Sequence, residues 1–185
     1  GDAQVHSSFI RVYSEYLTER LFLYRELGLD VFVEAQDETK PILAPPRAEA
    51  ATNADSPLPE IPLERVLAKM PQVQLCLSKL LNVVPEVLAR SSPPVLFCLP
   101  KCHSEAKVLY RIICEGIIVV CDHFYALDLP QARQALTLYE NTMNLQANFA
   151  EYCEWMNKVP GASRQVMAAK VDPLPTHVHK EMEEH

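Results

Sequence analysis

The stretch from Ser104 to Leu127 constrains the fold more than any other part of this 185-residue chain. Its centre, Ile112 to Cys121, is apolar on nearly every side of a helix and is interrupted by Glu115 and Gly116. A helix that is apolar all round must be covered by neighbours on several sides. Its uninterrupted apolar runs fall short of the ~20 residues that a membrane span needs. The stretch therefore predicts a buried helix within a helical core.

Most of the remaining chain repeats apolar residues three and four positions apart, which is the spacing of an amphipathic helix. We expect a helix over residues 8–27, with Ser7 or Ser8 as its N-cap, and core helices over residues 63–160. A short acidic helix is expected over residues 176–185. The chain has only four glycines, which disfavours a turn-dense β fold. The predicted fold class is therefore all-α, a stacked helical bundle or solenoid.

Proline positions predict where these helices break. Pro71 lies inside a helical pattern and is expected to kink or split the helix. A break is expected near residue 91, followed by a short helix from about residue 94 and a second kink at Pro100. Asp128 is expected to be the N-cap of the long helix that follows, because Pro130 is tolerated in a first helical turn.

Residues 34–62 lack any helical period and contain six of the fifteen prolines, mixed with alanine and acidic residues. This composition is typical of chain that does not bury enough apolar surface to fold. We expect a long disordered loop there.

The overall charge limits the classes of partner. The formal net charge is -7. A chain of this sign is disfavoured as a nucleic-acid binder and as an unaided binder of anionic lipid. Nucleic acid is therefore not an expected partner.

The cysteines raise the possibility of a thiol or zinc enzyme. Cys98, Cys102 and His103 lie close in sequence, and Cys114 or Cys121 would have to complete a four-ligand zinc site. Cys121 is also followed directly by an aspartate and a histidine, but adjacent helical residues point about 100° apart and form no catalytic pair. The alternative is that these thiols are small apolar core residues. We therefore assign no catalytic residue, no metal ligand and no cofactor, and we expect the chain not to be an enzyme.

Glu115 is an unusual residue in an apolar run. A buried carboxylate must be paired, hydrogen-bonded or neutral. Arg111 lies one helical turn earlier, so we expect the two side chains to form a pair.

Five motifs occur in an order that resembles the ANTH domain, the phosphoinositide-binding domain of clathrin-assembly proteins. The first is the helix Ser7–Gly28, "SSFIRVYSEYLTERLFLYRELG", which is followed by a variable loop. The second, "VLAKMPQVQLCLSKLL", includes Pro71 as part of the family pattern. The third is "LYRIICEGI" together with the "FYAL" that follows it. The fourth is "ALTLY". The fifth, "FAEYCEW", is similar to plant members of the family.

The resemblance covers residues 1–185 and matches the C-terminal portion of that domain. It implies an endocytic adaptor that assembles clathrin coats, at clathrin-coated pits and vesicles of the plasma membrane and the trans-Golgi. The family's phosphoinositide site lies in N-terminal helices that no stretch here matches, so no lipid-binding residue is assigned. Contact with phosphoinositide membrane is expected only through those N-terminal helices. Contact with clathrin coat components is expected only through the longer protein of which this domain would be a part.

Some members of the family also sort vesicle SNAREs, whose helices dock against the C-terminal helices of the domain. Leu145, Phe149 and Met156 are the candidate residues for such a groove, with ordinary core packing as their alternative. A second function that stays open is a generic helical interaction or oligomerisation module. Loss of the N-terminal helices would expose apolar surface and favour self-association.

Overall fold

The structure is a computed structural model, and it describes residues 2–27, 30, 32, 61–85, 92–159 and 175–184. These residues form five α-helices and no strand, which confirms the all-α prediction for the described part of the chain. The helices are α1 (Asp2–Leu27), α2 (Leu63–Leu81), α3 (Pro93–His123), α4 (Leu129–Asn157) and α5 (Thr176–Glu184). A single 3-10 turn, Phe124–Ala126, joins α3 to α4. The predicted loop lies almost wholly outside the described residues.

Helix α1 begins six residues earlier than predicted, and Ser7 and Ser8 lie inside it rather than at its N-cap. Residues 2–7 contain no proline or glycine, so nothing in the local sequence stops the helix from extending. It runs antiparallel to α2, because Glu15 lies near Lys79 (Oε2 to Nζ, 3.3 Å) and Glu26 near Lys69 (2.8 Å). These exposed pairs contribute little stability, but they report the register of the two helices.

Helix α2 is the centre of the fold, since it packs against α1, α3 and α4. It continues through Pro71, so the predicted split does not occur. A proline inside a helix costs about 3 kcal/mol. Met70 and Val73 on either side of Pro71 are fully buried. Their packing offsets the lost backbone hydrogen bond and holds both halves in one helix.

Helix α3 is a single helix from Pro93 to His123 with Pro100 inside it, so the prediction of a separate short helix from about residue 94 was wrong. Leu99 and Cys102 are both buried, so the same face packs on each side of Pro100. The region around residue 91 lies outside the described residues.

Helix α4 begins as predicted. Asp128 is its N-cap, and the carboxylate accepts a hydrogen bond from Gln131 N at 2.9 Å. The Gln131 side chain accepts in return from Asp128 N, which completes a capping box. The helix ends at Asn157, three residues before the predicted limit at residue 160, and Val159 just beyond it is buried.

Helices α2 and α4 run in the same direction. Gln134 Nε2 donates to the Leu67 carbonyl at 2.7 Å, and Gln74 Nε2 donates to the Leu138 carbonyl at 2.8 Å and to Thr142 Oγ1 at 2.9 Å. The C-terminal ends of both helices therefore lie at the same end of the molecule.

The terminal helix α5 covers Thr176–Glu184 and packs against α4, close to the predicted 176–185. None of the described helices is both long and apolar enough to cross a bilayer.

Candidate functional site

The three residues predicted for a partner groove are all buried inside this chain. Leu145 is 6% exposed, Phe149 1% and Met156 0%. Phe149 stacks on Tyr110 of α3, with ring centroids 4.6 Å apart. These positions favour the core alternative, and in this conformation the three side chains offer little surface to a partner.

Another flank of α4, which carries Tyr139, already holds a helix. Tyr139 is buried, and its hydroxyl donates to the Pro175 carbonyl at 2.9 Å. The ring of His179 stacks on Tyr139 at 6.3 Å, and Met182 is buried in the same core. The surface of α4 around Tyr139 is thus covered by α5.

A polar group holds α5 on this flank. His179 Nε2 lies 3.4 Å from Glu140 Oε1, and His179 Nδ1 lies 3.6 Å from Glu183 Oε2. Among the described residues these three form the group whose ligand atoms come close enough together to suggest a metal site. Because each ring nitrogen faces a different carboxylate, the arrangement fits two ion pairs of a protonated histidine as well as it fits a metal.

The cysteines are free thiols, and the structure places them in the helical core or at its margin. Burial raises the pKa of Cys76 and the pKa of Cys102 to about 12, so both stay protonated thiols near neutral pH. Burial also raises the pKa of Cys121. His123, two residues later, directs Nδ1 to the Val119 carbonyl at 2.9 Å rather than to a cysteine.

His103, a predicted zinc-ligand candidate, lies in the core, 2% exposed and stacked on Tyr152 at 6.3 Å. Desolvation, with a smaller effect from the charge of Lys107, lowers the pKa of His103 from 6.5 to about 4. Neither ring nitrogen has a hydrogen-bond partner within the described residues. The histidine is therefore neutral in the folded protein.

This burial predicts acid sensitivity. The unfolded chain binds a proton at His103 below pH 6.5 and the folded chain only near pH 4, so stability is lost as pH falls through this window. His103→Phe keeps a ring against Tyr152 but has no group that titrates there. Between pH 7 and pH 4.5 we expect its free energy of unfolding to fall by about 2 kcal/mol less than that of the wild type. Urea unfolding at both pH values measures this. Equal losses in the two proteins would contradict it.

Glu115 forms the predicted pair, with Arg111 Nε 3.6 Å from Glu115 Oε1. Its side chain is 26% exposed, so the carboxylate is half-buried. The tightly packed residue of this stretch is its neighbour Gly116. A Cβ atom there would lie 1.7 Å from Met70 Cε and 3.3 Å from Val66 Cγ1 of α2.

Among the described residues the buried carboxylate is Glu105, which the sequence pattern alone did not point to. Its side chain is 7% exposed, and its Oε1 lies 3.0 Å from Arg20 Nη1 of α1. Its Oε2 accepts a hydrogen bond from the Tyr16 hydroxyl. The Arg20 guanidinium also lies over the Phe32 ring, 4.4 Å from its centroid. Glu105 thus connects α3 to α1 through two polar contacts inside the core.

A signal for this site was present in the sequence. Arg20 falls on the apolar stripe of α1, together with Tyr16, and an arginine on a core-facing stripe requires an acidic partner. Glu105 likewise falls on the buried face of α3, between Cys102 and Leu109. The periodicity alone could not pair residues that lie so far apart in the chain.

Comparisons with known proteins point to one family. The sequence model of the ANTH domain matches residues 2–185. A putative clathrin assembly protein of Arabidopsis thaliana is 28% identical over 149 residues, which are 80% of this chain and 24% of that protein. A probable clathrin assembly protein of the same plant is 23% identical over 221 residues, covering 97% of this chain and 34% of the relative. Clathrin coat assembly protein AP180 of Homo sapiens is 24% identical over 155 residues, which are 83% of this chain and 15% of that protein. The matched part of the chain thus spans between 15% and 34% of the length of these relatives.

Proposed function

Because this chain belongs to the ANTH domain family, we propose that it is a non-enzymatic scaffold domain that acts in clathrin coat assembly. The observation that carries the proposal is the family match over nearly the whole chain, together with relatives named for clathrin assembly. The proposed place of action is the cytoplasmic side of clathrin-coated pits and vesicles, at the plasma membrane and the trans-Golgi. The proposal assigns no phosphoinositide-binding or clathrin-binding residue to this chain.

We further propose that the flank of α4 that carries Tyr139 is the docking surface for a vesicle-SNARE helix. Helix-in-groove recognition needs an apolar strip that accepts one side of an amphipathic helix. The docking of α5 supports this choice, since Met182 packs there and Tyr139 bonds to Pro175. Helix α5 has nine residues, too few to be stable without tertiary contacts. A longer partner helix could therefore displace it.

The test is an anisotropy titration with a fluorescently labelled vesicle-SNARE helix. We expect saturable binding to the full chain with a Kd on the order of 100 µM. Met182→Asp should release α5 and tighten binding about fivefold or more, since the partner no longer competes with α5. His177→Asp, which adds the same charge at an exposed position of α5, should bind like the wild type.

The same titration can reject the partner. If neither the wild type nor Met182→Asp binds the SNARE helix when the proteins are present at high micromolar concentration, the SNARE proposal is wrong. Tightening by His177→Asp equal to that of Met182→Asp would show a charge effect rather than release of α5.

A helical oligomerisation module is the second candidate function. It is favoured by the apolar residues that α1 exposes: Ile10 is 61% exposed, Leu21 62% and Tyr24 54%. Exposed apolar residues in such numbers on one helix favour association. The titration is therefore carried out on a fraction whose mass by light scattering is that of one chain.

A further inference from the structure

The three polar side chains between α4 and α5 are all of types that bind metal ions. Glu140 comes from α4, while His179 and Glu183 are one turn apart on the same face of α5. One ring nitrogen and one oxygen from each carboxylate all lie within 4.8 Å of one another. A single ion at the centre of the three ligand atoms would touch both helices.

The distances within this group are too long for strong hydrogen bonds. His179 Nε2 lies 3.4 Å from Glu140 Oε1, and His179 Nδ1 lies 3.6 Å from Glu183 Oε2. A hydrogen bond between an imidazolium and a carboxylate is shorter, about 2.7–2.9 Å. Zinc holds nitrogen and oxygen ligands at about 2.0–2.2 Å, so two ligands at a tetrahedral angle are about 3.4 Å apart. The spacing of Nε2 and Glu140 therefore fits an ion between them, and the Glu183 side chain, 52% exposed, is free to turn towards it.

The group carries more negative charge than its own residues neutralise. Among the described residues the ion-pair partner of both Glu140 and Glu183 is His179, and no lysine or arginine pairs with either carboxylate. Even a protonated histidine balances only one of the two negative charges. Neighbouring carboxylates repel each other, and a divalent cation between them removes that repulsion.

The ligand types select zinc. Mg²⁺ and Ca²⁺ prefer sites made of oxygen atoms, whereas an imidazole nitrogen is a good ligand for Zn²⁺. Three protein ligands leave the fourth position of a tetrahedral site for water. His179 is held in place for this role, because its ring stacks on the buried Tyr139 with centroids 6.3 Å apart. A ligand that is ordered before the ion arrives lowers the entropy cost of binding.

We propose that Glu140, His179 and Glu183 bind one Zn²⁺ ion, which cross-links α5 to α4. Helix α5 has nine residues and depends on tertiary contacts. An ion that binds only when α5 is docked stabilises the docked helix by mass action. Zinc thus sets how firmly the terminal helix is held. The site goes beyond the coat-assembly function and does not depend on it, since metal binding is measured without a partner protein.

Isothermal titration calorimetry of the full chain with zinc chloride near neutral pH tests the site. We expect one zinc ion per chain with a Kd on the order of 10 µM. Magnesium chloride at about 1 mM should give no saturable heat, because magnesium does not favour an imidazole ligand.

Four variants locate the ligands. Glu140→Gln and His179→Phe should each weaken zinc binding about tenfold or more, since each removes one ligand while phenylalanine keeps a ring on Tyr139. Glu181→Gln makes the same change of charge at an exposed position of α5, and His177→Gln removes an exposed histidine nearby in sequence. Both controls should alter the Kd by less than about twofold. Circular dichroism checks that each variant is folded.

Hydrogen exchange reports whether the ion holds α5 in place. Because release of α5 breaks the site, zinc at about ten times its Kd should slow exchange in α5 about tenfold. In Glu140→Gln the same zinc concentration should slow exchange by about twofold or less.

Zinc binding by Glu140→Gln as tight as that by the wild type would overturn the proposal, because the C-terminal segment alone would then hold the ion. Equal weakening by Glu181→Gln and Glu140→Gln would reduce the effect to the overall charge of the chain. A lack of saturable heat up to about 1 mM zinc, or unchanged exchange in α5 at saturating zinc, would contradict a cross-link between the two helices.

Discussion

Replacement of Glu105 by alanine is expected to lower the free energy of unfolding by about 3 kcal/mol. The carboxylate is buried, and its removal leaves Arg20 without its partner and the buried Tyr16 hydroxyl without its acceptor. Truncation of one member of such a group costs more than the group itself contributes, because the remaining polar atoms stay desolvated. Since Arg20 keeps some contact with water, the cost lies at the lower end of the range for buried pairs. Urea unfolding followed by circular dichroism measures the loss.

Matched variants separate the contributions within this polar group. Glu105→Gln keeps an acceptor for Tyr16 and removes only the charge, so we expect a smaller loss than with alanine. Tyr16→Phe removes only the hydroxyl and should cost about 1 kcal/mol. Glu154→Ala, at an exposed position of α4, should change stability by less than about 0.5 kcal/mol. A loss for Glu105→Ala no larger than that of Glu154→Ala would refute a structural role for the buried group.

Gly116→Leu is expected to destabilise the protein by about 3 kcal/mol or to prevent folding. Even a Cβ atom at this position would lie 1.7 Å from Met70 Cε. Met70 is fully buried, so its side chain cannot move out into solvent to relieve the clash. Gly116→Ala should cost about 1 kcal/mol, because the clash with Met70 exceeds the gain in helix propensity. Thermal and urea unfolding of both variants give these values.

A double-mutant cycle tests the cause. In a Met70→Ala background the clashing methyl group is absent, so Gly116→Ala should be neutral or slightly stabilising there. An equal cost of Gly116→Ala in both backgrounds would show that close approach of α3 to Met70 is not the reason for the glycine.

The sequence predicted the helical fold well because three- and four-residue spacing reports directly on helices with one buried side. It was less accurate about splits in the helices: Pro71 does not divide its helix, and residues 93–123 form one helix rather than a separate short one followed by another. Packing on both sides of a proline is a tertiary effect, and no local pattern states its strength. Asp128 was predicted correctly because a capping box is formed within four residues.

The functional surfaces were harder to predict than the fold. The periodicity of α4 does not show which of its apolar residues the chain itself covers, and the groove candidates Leu145, Phe149 and Met156 prove to be buried. The contacts of Glu105 with Tyr16 and Arg20 join residues of two helices that are distant in sequence.

Hydrogen exchange of the full chain with and without a vesicle-SNARE helix tests the central claim most directly, because it reports both binding and its location. The account predicts faster exchange in α5, which the partner displaces, and slower exchange along α4 around Tyr139. Exchange in α1 should not change. Unchanged exchange in α4 and α5 at a saturating concentration of the SNARE helix, or protection confined to α1, would contradict it.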